Sequence, residues 1–335
     1  MSSALDSTKF NLISPVLLLG FNRADLCERV IDSLREVNAQ VIYFSVDGPR
    51  IGRKDDEFSV LEVQRLVSKF DWGCKVITRF LPSNMGCMMA ISSAITWFFE
   101  SEKEGIILED DCLPSNDFYF FTQKMLERYR SNPSVMHISS GPYFAKSIDS
   151  FEFNHFFSTM QVVSGWGTWK TSWDHYDLEM KLPELQIEKQ MFSEFFSSRK
   201  ISNWFTRYVR EARSPKSTVW STQWSYAIIK KNGLSVVPVV NLLNHIGSDE
   251  RATHGTSHEL YDNYPIERIP NLPDPENIDF SWELIAQQYK FLLKTDLNQR
   301  LTHRIKTGLL NLIIKLLPFP LRRILKKLNL LKFMN

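Results

Sequence analysis

The feature that most restricts what this chain can become is an alternation along its first 140 residues. Short apolar runs of strand length trade places with stretches whose apolar residues recur every three or four positions. Residues 15–20 read as a buried strand, Leu26, Val30, Leu34 and Val37 then fall at helical spacing, and residues 41–46 read as a second strand. The same alternation predicts a helix over 60–70, a strand over 75–79, a helix over 86–100, a strand over 105–108, a helix over 117–130 and a strand over 135–139. Strands separated by helices imply an α/β fold. Its sheet is mostly parallel and covered by helices, and ligands lie beyond the carboxyl ends of the strands.

Beyond this point the pattern loosens. Residues 151–181 turn aromatic and loop-like, residues 183–212 and 220–231 read as helical, and 234–240 as a late strand. Four prolines, Pro265, Pro270, Pro273 and Pro275, mark 261–280 as irregular. The expected organisation is a ligand-binding domain over 1–260, a linker and peripheral helix over 261–299, and a tail over 300–335.

The tail is chemically unlike the rest. Although the net charge is only +2, nine cations and no acid fall between Arg300 and the C-terminus. They are interleaved with apolar groups such as Leu309, Ile313, Leu316 and Leu328, and Pro318 and Pro320 split the stretch into two amphipathic pieces. Basic amphipathic helices bind anionic membrane surfaces. Packing of the tail on the first domain or on a partner subunit is the other reading. With the cations confined to the tail and an acidic body before it, nucleic-acid binding is not expected. The run Val16-Leu17-Leu18-Leu19 is too short to span a membrane and lacks a basic leader, so a cytoplasmic protein, peripheral on the inner membrane face, is expected. The four cysteines are dispersed, with no CxxC pair and no ligand-like spacing to histidine, which argues against both a disulfide framework and a zinc site.

The sharpest chemical signal is Glu109-Asp110-Asp111, three carboxylates immediately past a predicted strand. Like charges crowded at a ligand-binding edge call for a cation, and oxygen ligands suit Mg²⁺ or Mn²⁺ bridging a carboxylate and a diphosphate. A solvated acidic turn is the plainer alternative. Arg23, after the first strand, suits a phosphate or base, and Asp47, after the second, suits a uracil-like ring or a ribose; each is also open to a reading as cap or turn residue. Trp166, between Gly165 and Gly167, suits a ring exposed for stacking on a sugar, whereas Trp220 and Trp224, four apart on a predicted helix, suit the core.

Four runs together, Ser14 to Arg23, Ser45-Val46-Asp47-Gly48-Pro49-Arg50, Asn84-Met85-Gly86-Cys87 and Gly105 to Pro114, resemble bacterial glycosyltransferases of the Rossmann-like GT-A fold, related to the N-acetylglucosaminyltransferase I type. The resemblance continues through Ser164 to Trp169 and Asn232 to Pro238 and covers about the first 255 residues. It identifies Glu109-Asp110-Asp111 as a variant DxD motif. By that resemblance Asp111 would ligate the metal, while Glu109 and Asp110 would hold ribose and sugar. Arg23, Asp47 and Asn84 would hold the nucleotide, Trp166 the sugar, and His254 would close over the diphosphate or ligate the metal. A lone surface histidine is the other reading of His254.

The implied activity is metal-dependent transfer of a hexosyl or N-acetylhexosaminyl group from a nucleotide-sugar, UDP-linked by resemblance, to a glycan or lipid-linked acceptor. Inversion and a role in cell-surface polysaccharide biosynthesis are expected. Relatives carry an aspartate as general base before a Gln-Trp pair, but this chain reads Trp220-Ser221-Thr222-Gln223-Trp224, and serine is no base near neutral pH. Asp174, Asp177 and Glu211 are the substitutes. A non-catalytic nucleotide-sugar-binding relative is the alternative, and a sugar nucleotidyltransferase ranks below it because no glycine cluster follows the first strand.

Overall fold

A computed structural model describes residues 10–142, 152–181, 185–247, 265–278 and 283–294. The chain divides into two compact units, residues 1–288 and 289–335; of the second, residues 289–294 are described and are helical. The expected α/β architecture is present in the first unit: a mostly parallel sheet flanked by helices.

The strands are β1 Val16–Gly20, β2 Val41–Val46, β3 Lys75–Phe80, β4 Glu104–Glu109, β5 Cys112–Pro114, β6 Val135–Ser139, β7 His155–Ser158, β8 Trp166–Trp169, β9 Leu234–Pro238 and β10 Leu243–His245. Eight of them form one sheet in the order β3-β2-β1-β4-β8-β6-β9-β7, and β5 pairs with β10 in a separate two-stranded ribbon. Within the sheet only β7 and β8 run against the others. The helices are α1 Ala24–Glu36, α2 Lys54–Arg65, α3 Cys87–Ser101, α4 Asn116–Tyr129, α5 Lys170–Trp173, α6 Leu185–Phe196, α7 Arg199–Ala212 and α8 Ser221–Lys230.

Period-2 alternation along each strand sorts the core into two layers. Val16 and Leu18 of β1, with Ile106 and Leu108 of β4, pack beneath α1, α2 and α4. Leu17, Leu19 and Ile107, on the opposite face, meet α3 and α8. Strands buried on both faces read as unbroken apolar runs, which is why their periodicity was legible. Local signals set the helix ends: Ser115 caps α4 by accepting from the Phe118 N–H at 3.3 Å, with Asp117 in its first turn.

Two elements differ from expectation, and the irregular stretch is as expected but anchored. The region read as loop-like contains β7 and β8, and β8 inserts antiparallel between β4 and β6. The helical stretch over 183–212 is two helices, α6 and α7, broken at Ser197, which takes a positive φ of 48°. Residues 265–278 hold no regular element yet are strapped down. The Ile269 N–H donates to Asp117 at 2.9 Å, and Asp274 pairs with Lys124 at 3.0 Å and Arg128 at 3.2 Å.

Candidate functional site

The chain leaves β1, builds β2 and β3 outward on one side, and returns to lay β4 on the other side of β1. The crevice at the carboxyl ends of β1 and β4 is therefore the sheet's topological switch point, the place where open α/β sheets bind ligands. Arg23 follows β1 and Glu109-Asp110-Asp111 closes β4, so both sequence signals converge there.

They converge on each other. The Arg23 guanidinium is hydrogen-bonded to the Asp110 carboxylate and to Asp111 Oδ2 at 2.9 Å, and the Phe21 N–H donates to Asp110 Oδ2 at 3.3 Å. Burial opposes the charge on Arg23, but Asp110 and Asp111 hold its pKa above the ordinary arginine value. Asp110 itself is 3% exposed; burial raises its pKa while Arg23 pulls against the rise. A protein cation thus already compensates one of the three charges of the turn. The Glu109 carboxylate has no hydrogen-bond or ion-pair partner among the described residues. Burial first, then Asp111 and Asp110, push its carboxyl upward, so this corner still favours an added proton or cation.

The acidic turn is roofed from far along the chain. β5 and β10 pair antiparallel with Cys112 opposite His245, and the Ile246 N–H donates to the Asp111 carbonyl at 2.9 Å. Gly247 then crosses so close that a Cβ there would meet Asp111 Oδ2 at 2.6 Å and Arg23 Nη1 at 2.7 Å, leaving room only for glycine. A carboxylate oxygen of Asp111, the Cys112 sulfur and a ring nitrogen of His245 lie within 4.8 Å of one another. Cysteine and histidine spacing along the sequence gave no hint of this trio, because His245 lies far along the chain from Asp111 and Cys112. His254 lies outside the described residues, as does the basic tail.

Asp47 and Asn84 are together, as expected of neighbours around one ligand, but they bond each other. Asp47 accepts from the Asn84 side-chain amide at 2.8 Å, from the Gly48 N–H at 2.8 Å and from the Met85 N–H at 2.9 Å. Burial raises its pKa, and those backbone donors oppose the rise. Its carboxylate staples the loop after β2 to the loop before α3.

Trp166 is a correction. It is 1% exposed, stacked on His137 at 5.0 Å and on Trp220 at 5.9 Å, with Trp224 at 5.6 Å. The glycines beside it looked like loop flexibility, but Gly167 lies inside β8, where a Cβ would meet Thr122 of α4 at 2.6 Å. Close packing against a helix required a glycine there. Trp220 and Trp224 are core, as expected.

The substitute bases are dispersed. β8 runs against β4 with Trp169 opposite Glu104, so α5 begins at the amino end of β4, the sheet edge opposite the acidic turn. Asp174, at the end of α5, is half exposed and paired with Lys170 at 2.7 Å. Asp177 accepts the backbone N–H groups of Glu179 at 3.0 Å and Lys181 at 2.8 Å, which closes its own turn. Glu211 is 62% exposed on α7 and sits 3.8 Å from Arg207. Sequence reasoning passed over Gln223, whose amide nitrogen donates to Met88 Sδ at 3.4 Å and whose buried Oε1 has no partner among the described residues.

No family model matches the chain, and no curated protein matches it in sequence. Solved structures that overlap it include a UDP-glucose pyrophosphorylase, 10% identical with a TM-score of 0.36, covering 75% of this chain and 96% of that one. Another is a putative glucose-1-phosphate thymidylyltransferase from Bacillus anthracis, 11% identical with a TM-score of 0.31, covering 49% of this chain and 74% of that one. An inositol-1-phosphate CTP transferase from T. maritima is 8% identical with a TM-score of 0.33, covering 69% and 86%. Likeness at this level carries nothing about activity, and the chemistry of this chain rests on its own residues.

Proposed function

We propose that the protein is a metal-dependent glycosyltransferase that takes a sugar from a nucleotide-sugar, UDP-linked by sequence resemblance, and transfers it to a glycan or lipid-linked hydroxyl acceptor. The observation that carries this reading is the meeting of Glu109-Asp110-Asp111 with Arg23 at the switch point between β1 and β4. Asp111 is the carboxylate that would hold Mn²⁺ or Mg²⁺: its side chain keeps 24% of its surface exposed, against 5% for Asp110. A divalent ion there would neutralise charge developing on a departing diphosphate. Arg23 orients the turn by bonding Asp110 and Asp111, and the segment through Gly247 walls it from the other side. Among the described residues no helix is long and apolar enough to cross a membrane; attachment to the inner membrane face through the basic tail belongs to this proposal.

A second reading, a nucleotide-sugar-binding protein without turnover, is favoured by one observation. Ser221 stands where relatives carry a base, while Asp174 and Glu211 are paired on the surface rather than at the turn. Thermal shift of the full chain against nucleoside diphosphates and nucleotide-sugars, with and without Mn²⁺, tests the first reading. Metal-dependent stabilisation by one nucleotide, lost in Asp111→Ala, is expected; no stabilisation by any nucleotide in either condition overturns it. Hydrolysis or transfer of the stabilising sugar donor then separates enzyme from binding protein.

A further inference from the structure

The Asp111, Cys112 and His245 trio goes beyond a carboxylate motif. Its donors are one oxygen, one sulfur and one nitrogen within 4.8 Å of one another, and two strands hold them in register. Residues directly opposite on an antiparallel pair project to the same face, so pairing Cys112 with His245 brings thiol and imidazole side by side. A slip of one residue would turn the ring to the other face, but the Ile246 N–H bonded to the Asp111 carbonyl locks the register. The Asp111 carboxylate is divided: Oδ2 accepts from Arg23 at 2.9 Å, while Oδ1 lies 3.5 Å from the Cys112 sulfur. One oxygen therefore faces the trio and the other is held by the guanidinium.

The geometry points to a transition-metal site formed by Asp111 Oδ1, Cys112 Sγ and a His245 ring nitrogen, selective for Zn²⁺-class ions over Mg²⁺ and able to bind without nucleotide. Three protein donors with one position left over is the pattern of catalytic zinc sites, in which the fourth position takes water or a substrate oxygen. Tetrahedral bonds to sulfur, nitrogen and oxygen put the donors roughly 3.3–3.6 Å apart; Asp111 Oδ1 and Cys112 Sγ, 3.5 Å apart, already meet that spacing, so the His245 nitrogen is the donor that would close in. A thiolate selects zinc, and imidazole suits it, whereas magnesium prefers oxygen alone. On binding, the Cys112 sulfur forms its bond to the metal and its proton leaves to solvent, one proton per ion from that group. This site shares Asp111 with the transfer reading but does not depend on it, because binding is measured with no nucleotide present.

The test uses the full chain stripped with chelator and titrated with Co²⁺. One Co²⁺ per chain is expected, with a thiolate-to-cobalt charge-transfer band in the near ultraviolet and the visible bands of a four-coordinate ion. Stoichiometric Zn²⁺ should displace it, and a large excess of Mg²⁺ should not. Cys112→Ser should abolish the charge-transfer band. His245→Ala should weaken Co²⁺ by more than the roughly ten-fold that losing an outer-shell partner costs. Because Cys112 is buried in the core, circular dichroism and a melt must first show that its variant folds; if it does not, the half-exposed His245, changed to Ala or Asn, carries the test through affinity and the visible bands. Absence of Co²⁺ binding, binding without a thiolate band, a band that survives in folded Cys112→Ser, or unchanged affinity in the His245 variants would each overturn the site. Loss of nucleotide binding alone would leave it standing and count only against the transfer reading.

Discussion

The half of the sheet made of β3, β2, β1 and β4 differs from the half made of β8, β6, β9 and β7 in direction, in polarity and in what its tight packing serves. The first half is uniformly parallel, and its carboxyl ends gather charged side chains into paired clusters: Arg23 with Asp110 and Asp111, and Arg50 with Asp56. The second half mixes strand directions and buries aromatic and neutral polar groups, with Trp166 and Trp224 against His137 and Trp173 and Trp220 packed on those two rings. One half concentrates charge where ligands approach; the other spends its large rings on holding the scaffold. Substituting the rings of the second half therefore costs stability through lost packing, and substituting the paired charges of the first costs it through a charge left unpaired.

The largest expected effect is Trp166→Ala. Truncating a buried tryptophan costs about 3–5 kcal/mol, and here it strands the His137 and Trp220 rings stacked on it. Urea denaturation checks this, and a cost under about 1 kcal/mol would mean that β8 does not carry the core as described. Next is Arg23→Ala, expected to cost about 3 kcal/mol at neutral pH because Asp110 is left buried without its partner. The deficit relative to the parent should shrink as pH falls, since the stranded Asp110 carboxyl can then take up a proton. A deficit independent of pH would break the charge-pairing account.

The two halves should also part company in acid. Burial lowers His137 to about 3 and His155 to about 4, against about 6.5 in an unfolded chain. Burial holds His137 neutral, with Nδ1 accepting from the Trp224 indole N–H at 3.2 Å, while Nε2, donating to the Val162 carbonyl at 2.9 Å, pulls the other way. The unfolded chain binds these protons first, so the contribution of the two rings to stability is complete above pH 6.5 and falls as pH drops toward 4, by about 1.4 kcal/mol per unit for each ring. Asp56 behaves differently. Hydrogen bonds from Arg50 lower it to about 2, so its contribution is present above an unfolded value near 4 and is lost only between about 4 and 2. In urea midpoints measured from pH 8 downward, that loss should begin well before Asp56 titrates; Glu109 and Asp110, raised by burial, take up protons in the native state over the same range and act the other way, so the loss is read as the difference between parent and variant. His155→Gln should flatten the decline above pH 4, and Asp56→Asn only the part below it.

The same contrast explains what the sequence could disclose. The parallel half was legible because β1, β2 and β4 are covered on both faces and each strand is joined to the next through a helix, so burial writes itself as local periodicity. Nothing local announces that Trp166 to Trp169 will pair with β4 and β6: four residues with glycine among them look like a turn, and only the partners, far away in sequence, make them a strand. β5 and β10 are three residues each, below the length at which alternation can be counted. For the site, Glu109 to Asp111 and Arg23 were visible as polar groups after strands. Their mutual pairing, and the arrival of His245, depend on tertiary distance that spacing does not encode.

The smallest expected effects bear hardest on the mechanism. Asp174→Ala and Glu211→Ala should each change stability by less than about 0.5 kcal/mol, because exposed pairs such as Lys170 with Asp174 gain little over solvation. They should also leave metal-dependent stabilisation by nucleotide unchanged. A general base must come within about 3 Å of the proton it removes, and β8 carries Asp174 to the far edge of the sheet from Asp111. If Asp174→Ala instead abolished transfer while donor binding survived, α5 would have to reach the acidic turn, and the antiparallel register of β8 against β4 could not stand.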